Sequence, residues 1–403
     1  MRLRALIAVT AVAAMSAAVA AANVQAERSG STANVLQWYD LTAQSVAAAA
    51  LPEQASQERI WAVAWLAAAR ATKPGHSPQY REAAFASALH DTLVSLAPAK
   101  TPELDAQLAA SLAAVPDGRE RDAGVAAGEA EARRVLAERA GDGLDTSTVD
   151  RAWSAPAAGP GVYQLTGGPA VRAGLADATP FLLSSSGQFD PGPPPALTSP
   201  RYLDALAEVH SLGGATSTTR TAAQTDTARF WAQSSLVTYT QVLRQVLAAT
   251  DRPLAWQTRL VAGFHVIQID QQIAIHAAKY RYVFWRPVTA IQAGSVDQDP
   301  SWSPLISTPR HPEYPSGHAG FGGTAEVVLR ALASPEPPGT VSATSSTDGG
   351  AVHSWTSWAA ITNETIDARV WEGVHFRFSD EVGAQLGRDV AGFDLKHLDA
   401  IGL

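Results

Sequence analysis

From Val35 to about Ala140 apolar residues recur three and four positions apart, as in Ile60, Val63, Trp65 and Leu66 and again in Leu104, Leu108 and Leu112. That period lines one face of an α-helix, so this Ala-rich stretch predicts amphipathic helices. Pro52, Pro74-Gly75, Pro98 and Pro116-Asp117-Gly118 interrupt it. Each is a poor helix interior and a good connection, which predicts helical hairpins.

Residues 141–200 differ. Gly159-Pro160-Gly161, Gly167-Gly168-Pro169 and the Pro-rich run from Pro191 to Pro195 leave little room for regular structure. Loops of this length are usually functional or mobile, so the excursion either covers a substrate entrance or wraps the surface as a connector. Helical patterning resumes near Ser199 and runs to the end, with interruptions at 297–315 and 334–351. Strand signals are scarce and no repeat of solenoid length is present. The expectation is an all-α fold with long irregular loops. It comprises one domain over 27–403, divided into a helical half at 34–140, the excursion at 141–200 and a chemistry-bearing half at 201–403.

Charge and composition narrow the function. The net charge of −8 over 403 residues argues against nucleic acid or an anionic membrane as the main partner. With no cysteine, disulfides, thiolate nucleophiles and cysteine metal sites are excluded, leaving His, Asp and Glu as ligands. Met1 to Arg4 carry two positive charges and precede an apolar run to about Ala22, which reads as a signal peptide cleaved after Ala26 or Ala22. Ala26 is favoured because Glu27, Arg28 and Ser29 restore polarity at once. A secreted protein follows, without stable membrane insertion, since no later segment offers about 18–20 consecutive apolar residues.

Three segments carry chemistry. In Lys279-Tyr-Arg-Tyr-Val-Phe-Trp-Arg286-Pro287, at the end of a helical stretch starting near Thr258, the two cations lie seven apart. Two helical turns put them on one face, behind His265, Ile269, Gln272 and His276, while Pro287 pushes Arg286 out of the helix. The aromatic company suggests partly buried cations in need of an anion. In His311-Pro-Glu-Tyr-Pro-Ser316-Gly317-His318, a hydroxyl and free backbone N–H groups stand at a helix start, where anions bind, with His318 in the first turn. In Arg369-Val-Trp-Glu-Gly373-Val-His375, Gly373 ends a helix and turns His375 back beside Arg369. Three cations, a hydroxyl, a backbone N–H and two histidines suit a tetrahedral oxyanion.

Taken in order, these segments resemble the signature of the vanadium-dependent haloperoxidase and type 2 phosphatidic-acid phosphatase superfamily, K-x6-R-P, P-S-G-H and S-R-x5-H. Ser111 to Gly118, Pro193 to Trp231 and the Phe284-Trp285-Arg286-Pro287 run are similar to bacterial haloperoxidase-like sequences. The resemblance implies a mainly helical bundle in which Lys279, Arg286, Ser316, Gly317 and Arg369 hold the oxygens of vanadate. It also implies that His375 is the ligand to vanadium and His318 the acid–base group. Hydrogen peroxide and a halide are then the substrates, with hypohalous acid or a halogenated small organic molecule as product. In the phosphatase branch the same residues hold phosphate and His375 forms a phosphohistidine.

Two positions depart from the pattern. Ala368 stands where the family has Ser, and Ser379, followed by Asp380, where many members have an acid four residues past the active histidine. The acid that orients His375 is therefore displaced or supplied elsewhere. Asp226 is the expected partner of Arg369. The Phe-Trp-Arg-Pro run, the length and the helical N-terminal half resemble haloperoxidases more than phosphatases. His311 resembles the histidine of bromide-preferring members.

Overall fold

Hydroxyls and prolines decide where several helices begin. The side chain of Ser77 accepts from the Tyr80 N–H ahead of Pro78, and that of Ser199 from the Tyr202 N–H ahead of Pro200. Thr221 and Gln224 form a reciprocal capping box, and Ser357 caps through the Ala360 N–H. Each cap satisfies a donor that a helix start leaves unpaired, while proline at the first turn lacks one to lose.

The computed structural model describes residues 32–403; the expected signal peptide lies outside the described residues. The helices are α1 (32–49), α2 (Gln54–Ala71), α3 (Pro78–Leu96), α4 (Thr101–Ala113) and α5 (Arg119–Glu138), then a one-turn α6 (Thr146–Val149). They continue with α7 (Pro200–Gly213), α8 (Ala222–Trp231), α9 (Ser235–Ala248), α10 (Leu254–Tyr282) and α11 (Pro287–Ala293). The last three are α12 (Gly317–Leu332), α13 (Trp358–Trp371) and α14 (Arg377–Asp394). The fold is all-α, and the breaks at Pro52, Pro74, Pro98 and Pro116 all fall between helices. None of the described helices is long and apolar enough to cross a membrane.

One departure from the sequence reading is a hairpin inside the 334–351 interruption and just beyond it. Strand β1 (Val341–Ser345) pairs antiparallel with β2 (Ala351–Trp355), Val341 opposite Trp355. Its inward positions Val341, Ala343 and Ser345 are buried against the bundle while the alternate residues are not, so a period of two was hidden among residues that otherwise signal a break.

Helix α10 is the axis. It begins at Leu254, four residues before the expected start, and is buried on nearly every side, packed by α2, α12 and α14. The largest core cluster joins Trp38, Trp61 and Trp65 of the N-terminal helices to Phe264, Phe321 and Trp358 of the C-terminal half. The excursion is irregular apart from α6 and a 3-10 turn at Ala173–Asp177, and it is pinned to this axis. The Asp270 carboxylate accepts the N–H groups of Phe181, Leu182 and Leu183 at 2.6, 2.7 and 3.0 Å.

Helices α12 and α14 approach closely enough to touch backbone to backbone. A Cβ on Gly387 would sit 2.1 Å from the Gly320 carbonyl oxygen, and one on Gly383 2.3 Å from that of Ser316. Alanine at either position gains about 1 kcal/mol of helix propensity. It also forces a backbone carbonyl to move, and overpacking of this kind costs about 1–3 kcal/mol. Gly387→Ala is therefore expected to be net destabilising by up to about 2 kcal/mol in urea unfolding, with the midpoint lowered and the slope unchanged; a midpoint above wild type contradicts the packing described.

Candidate active site

The two cations of the first segment are delivered differently from the sequence expectation. Lys279 lies in the last turn of α10, but the helix stops at Tyr282 and Val283 takes a left-handed φ of 48°. Arg286 sits beyond this reversal, extended, as the residue before α11. The pair therefore does not share a helix face. The seven-residue spacing is a helix end plus a short extended bridge, held where Tyr163 N–H meets the Val283 carbonyl at 2.8 Å and Trp285 N–H meets that of Gly161 at 3.0 Å.

Both cations are fully buried. Lys279 Nζ donates to the carbonyls of Pro312 and Glu313 at 3.1 and 2.8 Å. Arg286 donates from Nε to the His311 carbonyl (3.0 Å) and from Nη1 to that of Val374 (2.8 Å). Burial pushes the Lys279 ammonium well below its ordinary value, with Arg286 adding to the depression, and lowers Arg286 to about 10.

Ser316 is the residue before α12, and its Oγ, buried, caps nothing and makes no hydrogen bond of standard geometry. The carboxyl it bears on is Asp380, which burial raises well above the ordinary carboxylate range and the hydroxyl partly restrains. His318, in the first turn of α12, has Nε2 3.2 Å from the Gln233 carbonyl. A carbonyl only accepts, so Nε2 carries the proton and Nδ1 is the free acceptor.

Gly373, at φ 79°, terminates α13 and packs against the Gly213 carbonyl, which returns His375 toward Arg369 as the sequence suggested. The acid for His375 comes from elsewhere. Glu313 Oε1 meets Nδ1 at 2.7 Å and also accepts the Phe376 N–H at 3.1 Å. Sequence reasoning missed Glu313, although the only carboxylate between His311 and Ser316 was a signal that it had to be buried beside a partner. Arg369 pairs with Glu372, three residues on in the same chain segment. Asp226 is exposed on α8 and is not its partner, a correction to the expected pairing. A buried carboxylate next door serves a buried guanidinium better than one on a solvated helix face.

Together these residues close a cavity of about 310 Å³. Gly317, His318, Arg369 and His375 line it together with Arg172 and His276, while Lys279, Arg286 and Ser316 are buried beside those residues without lining it. The sequence therefore named seven residues that converge. The excursion contributes Val171 and Arg172 to the wall. His318 and His375 are held neutral, well below their ordinary values, first by burial and then by the neighbouring cations. Glu313 is raised to about 7 by burial, against the pull of Arg286 and Lys279. The Arg369 Nε and Ser316 Oγ groups are buried without partners. A tetrahedral oxyanion fits this set, because its oxygens would satisfy donors that the protein leaves unpaired.

Residues 259–401 match the family model described as the VCPO second helical-bundle domain. Vanadium chloroperoxidase of Curvularia inaequalis is 32% identical over 173 residues, covering 34% of this chain and 28% of that relative. A bacterial vanadium-dependent iodoperoxidase superposes with a TM-score of 0.72 at 21% identity, covering 92% of this chain and 96% of its own. A bacterial vanadium-dependent chloroperoxidase in its holo form gives 0.69 at 16% identity, covering 87% and 92%. Residues 259–401 are thus similar to the second helical-bundle domain of the vanadium chloroperoxidases, and the fold over most of the chain is that of the bacterial vanadium haloperoxidases. Against the motif pattern, the acid at His375 comes from the segment before α12 and not from the start of α14.

Two outcomes test this site. Removing one partner of a buried ion pair costs about 3–5 kcal/mol, whereas exposed substitutions stay within about 0.5. Glu372→Ala is expected to lose stability on the first scale and Asp226→Asn on the second, read by urea unfolding; equal effects would restore Asp226 as the partner. The lowered pKa values mean that His318 and His375 are unprotonated at pH 6, below the ordinary imidazole value of about 6.5. Nuclear magnetic resonance of ¹⁵N-histidine-labelled protein without added oxyanion should therefore show neither ring titrating between pH 8 and pH 6.

Proposed function

We propose that the protein is a vanadate-dependent haloperoxidase that uses hydrogen peroxide to oxidise a halide, with bromide favoured, giving hypohalous acid or a halogenated small organic product. The observation that carries this reading is a neutral His375 that lines a cavity beside the buried Arg369, with Arg286 in contact with its ring. Lys279, Arg286, Ser316, Gly317 and Arg369 would hold the vanadate oxygens, and His375 Nε2 the vanadium. When bound, vanadate supplies a Lewis-acidic centre at which hydrogen peroxide becomes reactive toward halide.

The chain's own residues supply the rest. Arg286 Nη1 lies 3.3 Å from His375 Nε2. Guanidinium only donates, so Nε2 must be a bare electron pair, the form a ligand needs. His318, neutral and with Nε2 committed to Gln233, takes a proton from hydrogen peroxide at Nδ1 and returns it to the departing oxygen. The buried cations stabilise negative charge without reorganising. His311, its Nδ1 3.1 Å from Arg286 Nη2, gives the wall a polar ring, and its resemblance to the histidine of bromide-preferring members supports bromide. The relatives named above are a chloroperoxidase and an iodoperoxidase, which supports halide oxidation without fixing the halide.

The test is bromination of monochlorodimedone with hydrogen peroxide and bromide, before and after orthovanadate, beside hydrolysis of p-nitrophenyl phosphate by the vanadate-free protein. Bromination is expected only after vanadate. His318→Ala should lose about 10²–10⁴-fold of it, the usual worth of a positioned acid–base group, and His375→Ala should lose all of it together with vanadate binding. Phosphate-ester hydrolysis without any vanadate-dependent bromination would overturn the proposal and move the chain to the phosphatase branch.

A further inference from the structure

Three buried acids surround the site, and each has a different neighbour. Glu372 pairs with Arg369, and the Asp380 carboxyl bears on Ser316 with both oxygens free of hydrogen bonds. Glu313 alone touches a ring nitrogen of His375, at 2.7 Å, with both partners buried. Ser379, four residues past His375, carries no acid and directs its hydroxyl to the Glu313 carbonyl at 3.5 Å.

We propose that Glu313 is the positioning residue for His375, holding the ring as its Nδ1–H tautomer so that Nε2 presents an electron pair to the central atom of the oxyanion. Two contacts on opposite sides of the ring require the same tautomer. On one side the carboxylate accepts from Nδ1, and on the other the Arg286 guanidinium donates to Nε2. The carboxylate oxygen is itself fixed by the Phe376 N–H, so the ring cannot rotate without losing its hydrogen bond to an acceptor held in place by the backbone.

The main chain of the same residue extends the effect. The Glu313 N–H donates to the Phe284 carbonyl at 2.9 Å, and the Glu313 carbonyl receives Lys279 Nζ at 2.8 Å. One residue thus joins the bridge that carries Arg286, the last turn of α10 and the loop that carries His375. Displacing it moves ligand and cations together. The proposal rests on reading His375 as the ligand of the oxyanion, and the test separates the two.

Glu313→Ala and Glu313→Gln are compared with the full-length wild type in two measurements. The first is the His375 tautomer in the oxyanion-free protein, from ¹⁵N chemical shifts, which a merely structural role would not move. Wild type should show Nδ1–H alone, and Glu313→Ala a mixture or the Nε2–H form. The second is the affinity for orthovanadate, expected to fall about 10–100-fold in Glu313→Ala, the usual worth of a partner to a metal-bound histidine. Glu313→Gln keeps the shape and serves if the alanine variant fails to fold. It lacks only the charge and should lose about tenfold, the low end of that range. Unchanged tautomer and affinity in a folded variant overturn the proposal. A wild type that binds no orthovanadate sinks the oxyanion-ligand reading instead, while the tautomer still decides the role of Glu313.

Discussion

Three cations taken out of water at one place set the terms for the rest of the molecule. Burying an ion costs several kcal/mol even after the protein relaxes, and the cost is recovered only through fixed partners. Lys279 and Arg286 find theirs in main-chain carbonyls at Pro312, Glu313, His311 and Val374, and Arg369 in Glu372. Those carbonyls belong to irregular segments, because a helix interior has none to spare. The segments at 311–316 and 373–376 must therefore be held rigidly without being helical, and the aromatic cluster of Tyr202, Phe284, Tyr314, Phe376 and Phe378 holds them.

The chemistry is thus built at the ends of helices. The end of α10, the start of α12 and the end of α13 converge, and each contributes a side chain: Lys279, His318 and Arg369. Close contact of α12 with α14 fixes how far Ser316 stands from the returning chain at Ser379, whose carbonyl receives the Ser316 N–H at 3.0 Å. The excursion at 141–200 lends Val171 and Arg172 to the cavity lining while remaining tied to the buried Asp270.

Much of this was legible in the chain. Residue types at motif spacing picked out seven residues that the fold brings together, and the three- and four-residue apolar period identified the helical class. What failed was the pairing of buried charges. Glu313 was invisible as the acid of His375 because 62 positions separate them, whereas Glu372, only three residues from Arg369, was passed over for Asp226. The Lys279–Arg286 spacing was read as helical pitch because nothing local announces that a valine ends the helix. The hairpin at Val341–Trp355 was lost for a related reason, since Ser, Thr and Gly mark both a loop and a short exposed strand.

That valine has a further implication. A β-branched residue in the left-handed region is strained, by roughly 1–2 kcal/mol, and Val283 holds this conformation at the joint between the two cations that the site needs most. Glycine there would relieve the strain and make the joint pliable. Thermal robustness and the fixed separation of Lys279 from Arg286 consequently pull in opposite directions at one backbone position. Selection for heat resistance alone would be expected to loosen that separation there before it altered any residue that lines the cavity.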